Sequence, residues 1–206
     1  MRLRVFVVVA VLCCFFGADR ASAQFFRNNA FTGAVGWQGE GSTFDALAGG
    51  KLWNIDDNLT LGAGYTTALG YDLWYDLDVS IGISKVRIPD GADFIPIVAL
   101  NVFPAGIRYN FLPESFRPFV SASGGTMVVL TPVGKQIPTN DFFGGSSFWA
   151  GLRLGGCAEY FFIDDQSLML DAQFVAFIGA NQPPTGGIAS FVLPATSVRL
   201  VYHIYF

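Results

Sequence analysis

Charged residues are scarce in this chain, at 14% of 206 residues, whereas soluble domains carry about 25%. Hydrophobic residues make up 52% of the chain and aromatic residues 16%. Too little charge is present to cover a water-facing surface, so we expect part of the surface to face something other than water. The net charge of −4 also lacks the basic footprint of nucleic-acid-binding proteins, so no nucleic-acid partner is predicted.

Cysteine is almost absent, and two of the 3 cysteines, Cys13 and Cys14, lie in the apolar run of residues 5–18. This run follows the basic start MRLR and precedes the small residues ASA at 21–23, which is the pattern of a secretory signal peptide. We therefore predict that residues 1–23 are removed and that residues 24–206 form the mature domain. Only Cys157 then remains, which excludes an internal disulfide.

Long apolar runs are also missing, because no run after residue 23 approaches the ~20 residues that a membrane-spanning helix needs. Inside a bilayer every backbone N–H and C=O group must be paired, and only helices and closed barrels achieve this. An apolar chain without helical spans therefore predicts an all-β fold, a closed antiparallel transmembrane β-barrel.

What the chain does contain is strict alternation, the pattern of strands whose successive side chains face opposite sides. In FWAGLRLGGCAEYFF, residues 148–162, the even positions are apolar or small, and Arg153 and Glu159 lie on the odd side. Residues 168–178 and 198–206 repeat this alternation. An apolar outer face with a polar inner face is typical of a membrane barrel.

Alternation predicts seven strands, at 58–71, 77–88, 94–112, 118–130, 148–162, 168–178 and 193–206. Bacterial barrels have an even number of strands, so an eighth is needed. Residues 31–39 and 44–54 are both candidates, and we prefer 31–39, which leaves 40–57 as a long outer loop. In the strand 94–112 the apolar face changes parity, which predicts a bulge near Pro104, because proline in a strand belongs at bulges or edges.

Aromatic residues gather beside the short connections, which we expect to be periplasmic turns, whereas 130–147 and 179–192 are expected to be longer outer loops. Aromatic rings are favoured at the level of lipid headgroups, so these residues predict an interfacial girdle. Its predicted members are Tyr71, Trp74, Tyr75, Tyr109, Phe111, Phe116, Phe119, Tyr160, Phe162, Tyr202 and Phe206.

The signal peptide, the alternating strands and the terminal strand VRLVYHIYF, which ends on Phe206, resemble the small bacterial outer-membrane β-barrel proteins of the eight-stranded OmpA, OmpX and OmpW kind. The resemblance implies location in the outer membrane of a Gram-negative bacterium, with outer-membrane lipid as the surrounding partner. It also implies that Tyr202, Ile204 and Phe206 form the signal that the barrel-assembly machinery reads during biogenesis.

Eight strands enclose an interior that side chains just fill. The inward charged candidates form a predicted lumen network of Arg108, Arg153, Glu159, Asp171 and Arg199, to which Asp78 is a further candidate. We expect these charges to pair with one another, because an unpaired charge in a dry interior is costly. His203 lies near the periplasmic end, whereas the lipid A-modifying members of such barrels hold their histidine near the outer leaflet. We expect it to be structural.

Together these features predict a barrel with a structural or surface-interaction role and a lumen filled by polar side chains. No catalytic residue, metal site or cofactor is predicted, and the protein is not expected to be an enzyme; the sequence does not specify a surface partner. The alternative is a narrow OmpW-like conduit for small apolar molecules. It is motivated by apolar residues in a predicted outer loop, namely Pro132, Val133, Ile137, Phe142 and Phe143.

Overall fold

The computed structural model describes residues 28–39, 41–45, 51–87, 94–112, 115–130, 146–181 and 189–206, so the predicted signal peptide lies outside the described residues. Within them the strands are β1 (Asn29–Gln38), β2 (Gly41–Asp45), β3 (Lys51–Ile55), β4 (Asn58–Ala68), β5 (Leu73–Arg87), β6 (Phe94–Asn110), β7 (Phe116–Leu130), β8 (Ser146–Ile163), β9 (Gln166–Asn181) and β10 (Ala189–Tyr205). None of the described residues belongs to a helix long and apolar enough to cross a membrane.

The strands close into an antiparallel barrel whose wall has eight strand positions, here called staves. From β4 to β10 each strand pairs with the next one along the chain, and β1 pairs with both β4 and β10, which closes the circle. β2 and β3 add no stave. β2 continues the position of β1 beside β10, and β3 continues the position of β4 beside β5, both towards the end of the barrel opposite the chain termini. The predicted closed, eight-stranded antiparallel barrel is therefore confirmed.

The first stave settles the choice that the sequence left open. The preferred candidate, 31–39, coincides with β1 and is confirmed. The rival 44–54 is wrong as a single strand, because its two ends belong to β2 and β3, which form a hairpin.

The long outer loop expected over 40–57 is wrong as well, because β2 and β3 occupy most of it. The hairpin keeps the register of the β1–β4 ladder: the last pair of that ladder is Gln38 with Asn58, and the first pair of the hairpin is Gly41 with Ile55. Gly39 and Gly41 at the junction have no side chain to mark the inner or outer face, so the apolar alternation stops there although the register is kept.

The remaining predicted strands agree with the structure to within four residues at each end. The largest difference at the turns is at β5, which begins at Leu73 rather than at residue 77. Leu73 and Trp74 already pair with β6, so the turn occupies residues 69–72 and begins earlier than the gap between the predicted strands 58–71 and 77–88.

A bulge in β6 is found where the sequence predicted one. The register of β6 shifts by one residue against both neighbouring strands. Pro104 and Ala105 both face outward, between the inward-facing Phe103 and Gly106, so the inward positions change from odd to even numbers. Tyr75 Oη donates a hydrogen bond to the Pro104 carbonyl and satisfies a backbone group at the irregular site. The predicted bulge near Pro104 is confirmed.

The outer surface carries an apolar belt, which includes Phe31, Val35, Leu59, Leu61, Leu73, Ile81, Ile83, Ile107, Val120, Leu152, Leu154, Phe174, Ile178, Leu200 and Ile204. On β5 it runs from Leu73 to Ile83. At about 3.3 Å per residue and a tilt of about 40°, this stretch is roughly 25 Å high, the height of the apolar band of outer-membrane barrels. Within the described strands, no charged side chain points outward at this level.

The aromatic girdle is found at the end of the barrel that holds the chain termini and the short turns, here called the terminal end. Exposed members are Tyr71, Tyr109, Phe111, Tyr160, Phe162 and Phe206. Trp74 and Phe119 were wrongly assigned to the girdle, because both face the interior and are buried. They share strand parity with inward polar residues, Trp74 with Asp76 and Phe119 with Ser121, and parity decides the face.

The loss of folding free energy caused by a lipid-facing charge is expected to depend on how deep in the apolar belt the charge lies. We expect Leu154→Lys, near the middle of the belt on β8, to lower the free energy of unfolding by about 2–4 kcal/mol, because lysine there must sit in hydrocarbon. The matched variant Phe162→Lys, at the terminal end of the same strand, is expected to cost about 0–1 kcal/mol. Reversible urea unfolding in lipid vesicles measures both; equal costs would contradict a membrane-spanning belt.

Candidate functional site in the barrel interior

All five residues of the predicted lumen network face the interior. Arg108 comes from β6, Arg153 and Glu159 from β8, Asp171 from β9 and Arg199 from β10, and each lies at an inward position of its strand. The structure separates them into two groups at different heights. Arg108 and Glu159 lie near the terminal end, and the other three lie near the middle of the barrel.

The first group is the terminal cluster, formed by Arg108, Glu159, Ser167, His203 and Tyr205. Glu159 is at its centre and is 0% exposed. It accepts a hydrogen bond of 2.6 Å from Tyr205 Oη and another from Ser167 Oγ. Arg108 Nη1 lies 3.4 Å from Glu159 Oε2 and supplies the opposite charge. A buried carboxylate surrounded by donors and one cation is fully compensated.

Arg108 is held from several sides at once. Its Nη1 donates to Met169 Sδ at 3.1 Å, and its Nε lies 3.7 Å from Asp76 Oδ2. Its guanidinium also lies 5.6 Å from the Trp74 ring centre and 5.8 Å from that of Phe119, within cation–π range. Trp74 and Phe119, which were expected in the girdle, therefore lie on either side of this buried cation.

The terminal cluster contains serine, histidine and glutamate side by side, but its polarity is not that of a hydrolytic triad. His203 Nδ1 lies 3.2 Å from both Ser167 Oγ and Glu159 Oε1. Because Ser167 donates its hydrogen to Glu159, both neighbours present acceptors to Nδ1, which must carry the hydrogen. In a triad the nitrogen beside the serine instead accepts the serine proton.

The second group is the central cluster, formed by Asp78, Arg153, Asp171, Gln173 and Arg199. Arg199 bridges two carboxylates, with Nη1 on Asp78 and Nη2 at 2.8 Å from Asp171 Oδ2. Arg153 Nη1 reaches the same Asp78 oxygen at 2.9 Å. Gln173 Nε2 donates to Asp171 Oδ2 at 2.5 Å. Two arginines and two aspartates from four strands thus tie the walls of the barrel together.

A third layer, the apolar tier, lies in the lumen between the central cluster and the end opposite the termini, beside the buried polar residues Ser80, Ser84 and Asn101. It comprises the buried, inward-facing Ile97, Phe103, Val129, Trp149, Phe177 and Leu193. Arg153 lies 3.8 Å above the Phe103 ring centre and joins the tier to the central cluster. Glycines make room for the rings: a Cβ on Gly179 would lie 2.9 Å from the Trp149 ring.

At the terminal end a group of buried side chains, Ala30, Trp74 and Phe161, packs with Tyr205 of the terminal cluster. Tyr205 packs against Phe161 with ring centres 5.1 Å apart and against Trp74 at 5.8 Å. Arg117 lies 4.4 Å from the Phe161 ring centre. Apolar side chains therefore lie beyond the polar clusters towards both ends of the barrel.

Sequence reasoning missed Ser167, Gln173, Tyr205 and Arg117. All four lie at inward positions, and strand parity alone would have found them. Asp78, a further candidate in the sequence, joins the central cluster, and His203 joins the terminal cluster. In the described part of the chain, no group of three or more His, Cys, Asp or Glu residues is arranged to hold a metal ion.

The proposed assembly-signal residues lie on the outer face of β10. Tyr202, Ile204 and Phe206 point outward, and Tyr202 Oη hydrogen-bonds to Gln166. Phe206 stacks on Phe31 with ring centres 5.1 Å apart, across the seam where the barrel closes. The last residue of the chain is therefore fixed in place by the first strand.

The closed barrel, its apolar belt and its filled interior define the class: the chain has the fold of small bacterial outer-membrane β-barrels. This agrees with the predicted location in a bacterial outer membrane. No protein-family model matches the sequence, and no curated protein matches it.

Among the solved structures that share the fold are two outer-membrane proteins. The outer membrane protein OprG from Pseudomonas aeruginosa has a TM-score of 0.57 and 12% identity, over 87% of this chain and 96% of that one. Neisserial surface protein A (NspA) has a TM-score of 0.51 and 11% identity, over 86% of this chain and 97% of that one. At such identities the likeness concerns the fold alone.

Removing the charge of Glu159 tests the terminal cluster. We expect Glu159→Gln to lower the free energy of unfolding by up to about 3–5 kcal/mol, because buried Arg108 then keeps only the partly exposed carboxylate of Asp76, 3.7 Å from its Nε, as a counter-charge. Urea unfolding followed by tryptophan fluorescence measures the loss. Asp164→Asn, in the exposed turn between β8 and β9, serves as the control and should change stability by less than about 0.5 kcal/mol.

The double variant Glu159→Gln with Arg108→Met checks the cause. Because it removes both buried charges, it should recover part of the loss seen in the single variant. A single variant as stable as the control would show that the ion pair contributes nothing to the fold.

Proposed function

We propose that this protein is an outer-membrane barrel with a structural or surface-interaction role and a lumen closed by its own side chains. The central cluster is the observation that carries the proposal. Arg153, Arg199, Asp78 and Asp171 reach across the lumen from four strands and pair with one another, so their charges are compensated within the protein. The apolar tier above them adds a second barrier.

A non-enzymatic role is part of the same proposal. The serine and histidine of the terminal cluster are the only pair in it that resembles catalytic machinery, and both are buried, Ser167 at 0% and His203 at 1% exposure. Their hydrogen-bond polarity is opposite to that of a nucleophile and its base, which supports a structural reading. Any surface partner would meet the outer loops, which lie largely outside the described residues.

The barrel-assembly machinery is proposed as the partner during biogenesis. Tyr202, Ile204 and Phe206 on the outer face of the terminal strand support this. While the edge of a strand is unpaired, another strand can bind its backbone groups, and its alternate side chains give that binding specificity. Once β10 pairs with β1, Phe206 is covered in part by Phe31 and the edge is closed.

Single-channel recording tests the closed lumen. The protein, purified from membranes and reconstituted into planar bilayers, is expected to be electrically silent. Arg153→Ala should also be silent, because the apolar tier stays in place, and the lipid-facing neighbour variant Leu154→Ala is the matched control. Discrete openings in the wild type that change in Arg153→Ala but not in Leu154→Ala would overturn the proposal in favour of a conducting lumen.

A second candidate function is a narrow conduit for small apolar molecules, and the apolar tier is the observation that favours it. Buried rings such as Trp149, Phe103 and Phe177 line the half of the lumen that such a molecule would enter. If it does enter, a short-chain alkane should shift the NMR signal of the Trp149 indole at concentrations that leave the lipid-facing Trp37 indole unchanged. Equal shifts at both indoles would indicate simple partition into lipid and would contradict the conduit.

A further inference from the structure

We propose that the barrel opens first at the seam between β1 and β10, and that a group of residues at the terminal end, here called the clasp, sets the rate of this opening. The clasp consists of Asn29 and Phe31 on β1, Tyr65 and Thr67 on β4, and Phe206 at the end of the chain. All five lie at outward positions.

The seam is the joint of the barrel with the least support from the chain. Every other pair of neighbouring staves is joined by a connecting segment, β1 and β4 through the hairpin of β2 and β3, whereas β1 and β10 are the first and the last strand. Within the described residues the ladder of β1 and β10 has nine residue pairs, and that of β9 and β10 has sixteen. Because closure of the longest loop costs the most entropy, we infer that this ladder forms last and separates first.

Phe206 supplies the contacts of the clasp that cross the seam. Its backbone N–H donates a hydrogen bond of 2.9 Å to the carbonyl of Asn29. Its ring stacks on that of Phe31, with ring centres 5.1 Å apart. An aromatic residue that serves only in the girdle needs the headgroup layer around it and no second ring, so the stacked pair does more than anchor the protein in lipid.

Asn29 and Phe31 are held in place from the other side of β1. Asn29 Oδ1 accepts hydrogen bonds from Tyr65 Oη at 2.6 Å and from Thr67 Oγ1 at 2.8 Å, both on β4. The Tyr65 ring also meets Phe31 edge-on, with ring centres 6.0 Å apart. The start of β1 is therefore fixed to β4, so that it presents a preformed site to the last residue of β10.

The consequence of the clasp follows from the strand edges that the seam hides. Separation of β1 from β10 leaves the backbone N–H and C=O groups of two strands unpaired, and such edges pair readily with strands of other chains. The clasp therefore sets how long both edges stay closed. This holds whether the lumen is plugged or conducts, because the seam belongs to the wall of the barrel.

The ring contact across the seam is tested with Phe31→Leu, which removes the ring and keeps an apolar side chain. In lipid vesicles, with urea and tryptophan fluorescence, we expect its unfolding rate to be roughly three- to tenfold higher than that of the wild type. Its folding rate should stay unchanged, because a contact that forms after the transition state affects unfolding alone.

Phe111→Leu is the matched control for this variant. Phe111 is also exposed in the girdle and packs edge-on with Tyr109 at 5.4 Å, but both lie on the side of β6, three staves away from β1. Its contact is still intact when the seam opens, so its unfolding rate should stay within about twofold of the wild type. A Phe31→Leu rate no higher than that of the control would overturn the proposal.

Asn29→Ala tests the support behind the seam. It removes the acceptor of two hydroxyl groups, so the unfolding rate should again rise, by roughly tenfold. Tyr65→Phe keeps the ring and removes one of the two hydrogen bonds, so it should cause a smaller rise. A slower folding rate in Asn29→Ala, with unfolding unchanged, would show that the clasp forms early and would contradict its role in opening.

Two engineered disulfides locate the opening independently of the clasp. The pair Val35→Cys with Leu200→Cys crosses the seam, and the pair Leu61→Cys with Ile81→Cys crosses the ladder of β4 and β5 at the same height. Residues paired across a ladder are close enough for a disulfide, and Cys157 faces the interior, away from both pairs. We expect oxidation to slow unfolding at least tenfold for the seam pair and less than about twofold for the other. Equal slowing by both disulfides would overturn the proposal.

Discussion

Pairing of every backbone N–H and C=O group is the constraint on which this structure depends. Hydrocarbon offers no partner for these groups, so a sheet within it must close on itself. The seam between β1 and β10 completes the closure, and nine consecutive residue pairs from Ala30 to Gln38 form it. Closure with eight staves in turn fixes a narrow interior, and everything inside the barrel has to fit within that width.

The narrow interior explains why the buried charges lie where they do. Long arginine side chains from one wall reach carboxylates on another, so each cluster joins strands that are distant in the sequence, such as Asp78 and Arg199. Small inward residues give them space: a Cβ on Gly36 would lie 2.7 Å from the side chain of Arg199. The positions of the buried charges, the large side chains and the glycines inside the barrel therefore depend on one another.

Much of this architecture was predictable from sequence because strand parity is a local property. Alternation identified seven staves, the inward face of all five network residues, and the bulge at Pro104, where parity itself changes. Alternation failed at the glycine junction after Gln38, where the residues have no side chain to show which face is inward. It also failed at Trp74 and Phe119, where the aromatic residue type was given more weight than strand parity.

The partners within the lumen were not predictable in the same way. Which side chains meet across a barrel depends on strand tilt and stagger, which are properties of the closed sheet rather than of any segment. Parity places Ser167 and His203 inside, but only the closed structure brings both to Glu159. The apolar tier was equally hidden, since its inward-facing members interrupt the apolar-out, polar-in pattern of their strands.

The hairpin of β2 and β3 gives the protein a hydrogen-bonded rim. Each of these strands has five residues, which at about 3.3 Å per residue extends the wall by roughly 16 Å along the strand direction beyond β1 and β4. Because this extension is bonded on one side to β10 and on the other to β5, its backbone has already lost the conformational freedom that a loop retains. A molecule that docks on the rim meets a preorganised surface, so less of its binding free energy is spent on ordering the protein.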